Sequence, residues 1–114
     1  MNNFIAVGRL TDLGVIKEGR NGKYCRTQIA ISRPYKNSNG LYETDFITIT
    51  LRKDLAEKLH EYCVKGDLVG VKGVLESTPK HKTILVANKL TFLATKERVD
   101  DIEKQHENDD IPQF

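Results

Sequence analysis

The chain has 114 residues, 39% of them hydrophobic and 30% charged, a size and balance that fit one small domain able to bury a core without metal or disulfide staples. Its net charge of +2 conceals an asymmetry: residues 1–95 carry 15 Lys+Arg against 9 Asp+Glu, whereas residues 96–114 carry 3 against 7. No apolar run approaches the about 20 residues of a membrane span, and Met1-Asn2-Asn3-Phe4 opens without a basic leader or an apolar signal segment, so a cytoplasmic protein is expected.

Residues 3–10 read as a strand, with Gly8 as a bulge or a point of close backbone approach. Gly14 interrupts, residues 15–17 resume the strand, and Asn21-Gly22 is a strong hairpin signal. Tyr24 to Ser32 follows as a strand, and Pro34, which has no N–H to donate, weakens pairing beyond it. After the turn Asn37-Ser38-Asn39-Gly40, residues 42–52 alternate: Ile47, Ile49 and Leu51 on one face, Phe46, Thr48, Thr50 and Arg52 on the other.

Asp54 is the expected helix N-cap, with Glu57 completing a capping box. Leu55, Ala56, Leu59, Tyr62 and Cys63 share the helix's apolar face, and Gly66 stands at its termination. A strand over 68–76, with Val69, Val71, Gly73 and Leu75 in alternation, and a last strand over 83–93 complete the body. An all-β chain of five short antiparallel strands with a helix between the third and fourth has the connectivity of the OB-fold, a Greek-key barrel; an SH3-like barrel shares the strand count.

Residues 1–95 therefore form the expected barrel domain, and 96–114 an acidic tail with too few apolar side chains to offset ordering entropy. The last residues, Asp109-Asp110-Ile111-Pro112-Gln113-Phe114, add apolar groups and a carboxylate to an acidic run. They read either as a chance ending or as a peptide that docks in a partner's pocket.

Phe46 needs a reason for its place on the polar face. It is either a platform for an unstacked base or a cap on the barrel end or a subunit contact. Tyr35, between Arg33 and Lys36 before a loop, suits an arm along a nucleic-acid backbone or an anchor for the hairpin. Arg9, Arg26, Arg33, Lys36, Arg52, Lys53, Lys65, Lys72, Lys80 and Lys82 are the candidate phosphate contacts. Tyr24 and Tyr42 say less.

Catalysis finds little support. His60, His81 and His106 are scattered, and His60 with Cys63 has no second pair at zinc spacing. Cys25 and Cys63 read as free core thiols of a reducing compartment. No metal or cofactor site is expected.

Asn3-Phe4-Ile5-Ala6-Val7-Gly8-Arg9-Leu10-Thr11 resembles the opening strand of bacterial and phage single-stranded DNA-binding proteins. Arg33-Pro34-Tyr35-Lys36-Asn37 with Tyr42-Glu43-Thr44-Asp45-Phe46-Ile47 is similar to that family's second hairpin. Leu55-Ala56-Glu57 through Tyr62, then Lys65-Gly66-Asp67-Leu68-Val69-Gly70-Val71-Lys72-Gly73, resembles its helix and fourth strand. The hexapeptide at 109–114 is similar to its acidic tip.

The resemblance implies an OB-fold that assembles as a homotetramer, a dimer being the alternative, and wraps single-stranded DNA in replication, recombination or repair. It implies stacking at Tyr35 and Phe46, and recruitment of replication and recombination proteins through Asp109, Asp110, Ile111, Pro112 and Phe114. A primosomal-type adaptor, an RNA-binding OB domain and a small nuclease are the rivals. Departures are also visible: Arg52 replaces a common aromatic, Lys80 falls at another stacking position in a short turn, Asp12-Leu13-Gly14 replaces an acidic-Pro pair, and Gln113 interrupts the tip. Fewer rings and a shorter loop imply a smaller wrap.

Overall fold

The computed structural model describes residues 1–95; the tail residues 96–114, with the expected partner-binding positions Asp109, Asp110, Ile111, Pro112 and Phe114, lie outside the described residues. Six strands and one helix follow in order: β1 (Phe4–Asp12), β2 (Lys17–Gly19), β3 (Gly22–Lys36), β4 (Tyr42–Arg52), α1 (Asp54–Tyr62), β5 (Leu68–Ser77) and β6 (Thr83–Ala94). The additional strand, β2, is the short arm of the Asn21-Gly22 hairpin, pairing Lys17 with Tyr24 and Gly19 with Gly22. Among the described residues no helix is long and apolar enough to cross a membrane.

The other five strands close on themselves. β1 pairs with both β3 and β5, β3 with β4, β4 with β6, and β6 with β5. The expectation of wholly antiparallel strands is corrected at one seam: β4 and β6 run parallel, with Ile49 beside Leu85 and Thr50 beside Val86. The reason is parity, since a ring with an odd number of strands cannot alternate direction all the way round. The shape is the OB barrel, with β2 as an appendage.

Alternation decides what lies inside. Leu10 of β1, Cys25 and Ile29 of β3, Ile49 and Leu51 of β4, and Val69 and Val71 of β5 form the buried core, joined by Ala56, Leu59 and Cys63 of the helix region. Gly8 is the close-approach point: a Cβ there would lie 2.6 Å from the carbonyl oxygen of Ala30. β1 crosses from β5 to β3 at this position, with Arg9 opposite both Leu68 and Ala30, and a side chain would force the strands apart. Leu75, expected in the core alternation, is 43% exposed instead. β5 has run past the barrel rim there, and the Asn2 amide bonds both its carbonyl (2.9 Å) and its N–H (2.8 Å).

Two helix expectations are also corrected. Asp54 is not the N-cap; Lys53 is, with φ of 53° and no side-chain cap bond. The Lys53 N–H donates to the Lys23 carbonyl (2.7 Å), which ties the turn to β3 and makes Asp54 the first helical residue. Glu57, freed from a capping box, accepts from Lys23 Nζ at 3.2 Å. Tyr62 is 68% exposed rather than packed. At about 100° per residue, Ala56, Leu59 and Cys63 share one narrow buried arc with Leu55 packed at its edge, and Tyr62, slightly further round and in the last turn, is left exposed. Gly66 lies beyond the helix end, at φ 99°, and donates its N–H to the Leu10 carbonyl (2.7 Å), docking the following turn on β1.

Candidate nucleic-acid interface

The even-numbered residues of β3 and β4 lie on the face away from the core, with Thr50 at its buried floor, and pair across the ladder. Ala30 stands opposite Phe46, Gln28 opposite Thr48, Arg26 opposite Thr50, and Tyr24 opposite Arg52. Arg9 of β1 pairs with Ala30, so Arg9, Ala30 and Phe46 form one row across three strands. Ala30 leaves the ring of Phe46 uncovered: it is 61% exposed.

From this face a groove runs to the β5–β6 turn. It holds about 580 Å³ and is lined by Arg26, Thr48, Thr50, Lys80, Lys82 and Ile84, among others. A second hollow of about 210 Å³ shares Arg26, Thr50 and Ile84 with it and continues to the β2–β3 hairpin, where Arg20, Lys23, Tyr24 and Arg52 close it. The turn that carries Lys80 and Lys82 is fixed locally: Lys82 N–H donates to Thr78 Oγ1 (3.1 Å), and Thr78 N–H to the Lys82 carbonyl (2.8 Å). Four expected phosphate contacts, Arg26, Arg52, Lys80 and Lys82, are thus brought together on one continuous depression.

Two of the expected cations already hold carboxylates. Arg33 grips Asp45 through Nε (3.1 Å) and Nη2 (2.9 Å) and reaches Glu43 through Nη1 (2.6 Å). The Arg33 bond and charge, opposed by partial desolvation, hold Asp45 below its ordinary carboxyl value. Arg52 forms a two-point pair with Glu76, at 3.1 and 3.0 Å. Lys36 lies over the ring of Tyr42, its ammonium 5.7 Å from the centroid.

The remaining expected positions are dispersed. Arg9 is half-buried in the Phe46 row, and Lys53 is exposed at the helix cap beside Gly22. Lys65 stands in the turn after α1 and Lys72 in an outward row with Ile5 and Lys89, neither lining the groove. Tyr35 is 64% exposed, in the stretch of β3 where pairing skips from Ser32 to Lys36.

Sequence reasoning missed Arg20, Lys23 and Tyr24. The signal was present in the cationic residues flanking Asn21-Gly22, but only the pairing of β2 with β3 carries that hairpin to the groove.

The Single-strand binding protein family model matches residues 1–93. Single-stranded DNA-binding protein 1 of Clostridium acetobutylicum is 36% identical over 106 residues, covering 84% of this chain and 96% of that protein. The single-stranded DNA-binding protein of Oceanobacillus iheyensis is 33% identical over 105 residues, and the chain spans 65% of its length. In shape, the chain is similar to the crystal structure of a small single-stranded DNA-binding protein from Streptomyces coelicolor, with a TM-score of 0.66 at 24% identity over 82% of this chain and 95% of that one. With its five-strand ring, its exposed ring face and a family match that runs through β6, the chain belongs to the single-strand binding protein family.

Proposed function

We propose that this protein binds single-stranded DNA irrespective of sequence, with the strand laid across the outer face of β3 and β4. The observation that carries this reading is an uncovered aromatic ring, Phe46, beside a groove lined by Arg26, Lys80 and Lys82. A base stacks on a ring whatever its identity, for about 1–3 kcal/mol per base, while the cations displace counterions from the phosphates. Tyr35 adds a ring on the β3–β4 arm. Arg9, Lys36, Lys53, Lys65 and Lys72 extend the basic surface as the strand wraps, and Arg33 and Arg52 act once their carboxylate partners are displaced or shared.

The wider role is protection of exposed strands in replication, recombination or repair, by binding and not by catalysis, in the cytoplasm and with no membrane partner. Asp109, Asp110, Ile111, Pro112 and Phe114 recruit other replication proteins, the carboxylates meeting a basic rim and the apolar side chains a pocket. Assembly is as a homotetramer, with a dimer as the alternative.

The test is a titration of fluorescent oligo-dT at increasing salt. Each phosphate neutralised contributes roughly 0.7 to the slope of log affinity against log salt, so three to four contacts give a slope of about −2 to −3. An affinity unchanged between low and physiological salt overturns the electrostatic part of the reading. An equal-length RNA oligomer bound more tightly than the DNA overturns the choice of ligand, and light scattering with and without oligo-dT measures the assembly.

A further inference from the structure

β4 separates its side chains by kind as it leaves the barrel. On the odd side, Glu43 and Asp45 are drawn together by Arg33. On the even side, the strip from residue 42 to residue 52 is Tyr42, Thr44, Phe46, Thr48, Thr50 and Arg52, with no carboxylate among them. Tyr42 therefore shares the face of Phe46, and the two rings are similarly uncovered, at 59% and 61%. Opposite Tyr42 in the ladder is Lys36, whose ammonium lies over the tyrosine ring.

We infer that Tyr42 is a second base-stacking ring, continuing the Phe46 row along β4, with Lys36 placed to meet the adjoining phosphate. This rests on the single-strand binding proposed above and extends its path on to the arm. Four residues of strand separate the rings by about 13 Å at ~3.3 Å per residue, too far for one base to touch both, so each ring takes its own. Tyr35 does not take this place. Tyr35 lies in the interrupted stretch of β3 between Ser32 and Lys36, with no β4 residue opposite it, whereas Lys36 rejoins the ladder at Tyr42. The carboxylates that would repel a phosphate chain are held by Arg33 on the odd side of β4, which leaves the Tyr42 side open to a polyanion.

The experiment compares the full chain with Tyr42→Ala, Tyr42→Phe, Tyr35→Ala, Lys36→Ala and Phe46→Ala in binding to oligo-dT. Tyr42→Ala is expected to lose about fivefold or more in affinity with the salt slope unchanged, and Tyr42→Phe to stay within about twofold. Lys36→Ala is expected to lower the slope by roughly 0.7. The chain has no tryptophan, so Tyr42→Trp supplies a lone reporter, and its emission should be quenched by oligo-dT even where Tyr42→Ala folds poorly. An unquenched Tyr42→Trp, or a natively folded Tyr42→Ala with full affinity while Phe46→Ala is impaired, overturns the inference and leaves the binding reading standing. A wild-type chain that fails to retain oligo-dT overturns the reading itself.

Discussion

Arg52 and Glu76 face each other from β4 and β5 as a two-point ion pair, Nη1 to Oε2 at 3.1 Å and Nη2 to Oε1 at 3.0 Å. The pair closes one end of the basic depression, so part of the charge available to a phosphate there is already used. Both side chains are about half exposed, and such pairs are weak, about 0.2–1 kcal/mol. Phosphate can therefore compete with Glu76 for the guanidinium.

Glu76→Gln is accordingly expected to tighten oligo-dT binding a few-fold at low salt and to steepen the salt slope by up to about 0.7, one further phosphate contact. Anisotropy titrations at several salt concentrations measure both. An unchanged slope means that Arg52 reaches phosphate regardless of its partner, or never does.

Phe46→Ala is expected to cost about 1–3 kcal/mol of binding and little folding stability, since the ring lies on the outer face opposite Ala30 and an exposed substitution falls within about 0.5 kcal/mol. Binding and thermal unfolding measured on one preparation separate the two effects. A large fall in Tm with unchanged affinity would assign the ring to packing.

The Asp45–Arg33 pair sets an acid limit for the β3–β4 arm. Because the hydrogen bond from Arg33 lowers the folded-state value of Asp45, its contribution is complete above the unfolded carboxyl value of about 3.9 and is lost as pH falls through the folded value. An NMR titration should find Asp45 ionising below that reference in the wild type and returning to it in Arg33→Gln. An Asp45 that titrates normally in the wild type removes the coupling.

Both thiols are shielded. Burial pushes Cys25 up, and burial assisted by the Asp67 charge does the same for Cys63. Thiolate is the reactive form, so a thiol reagent near neutral pH should label neither residue quickly in the native chain and both at once in denaturant. Rapid native labelling of either would contradict its place in the core.

Much of the fold is written in alternation. β4 is legible from Ile47, Ile49 and Leu51 against Phe46, Thr48 and Thr50, because one face of a strand meets the core and the other meets water. The hairpin at Asn21-Gly22 follows from backbone chemistry confined to a few residues, while the close approach that Gly8 permits is to the Ala30 carbonyl, a partner set by strand pairing. Local signals failed where a distant contact intervened. Asp54 lost the cap position because β3 takes the Lys53 N–H, and Tyr62, at the edge of the apolar face, is exposed because it is the last residue of a short helix.

The amino-acid order by itself determined the ring at Phe46, through the alternation of β4, and the cationic excess of residues 1–95, but not the exposure of Leu75 or Tyr62. Only the tertiary structure decided which charges stand together. Folding set Arg33 against Asp45 and Arg52 against Glu76, brought Lys80 and Lys82 to the groove that holds Arg26, and placed Lys36 opposite Tyr42. The physical reason is that parity along one strand is a local property, whereas the partner across a ladder is set by strand pairings between residues far apart in the chain.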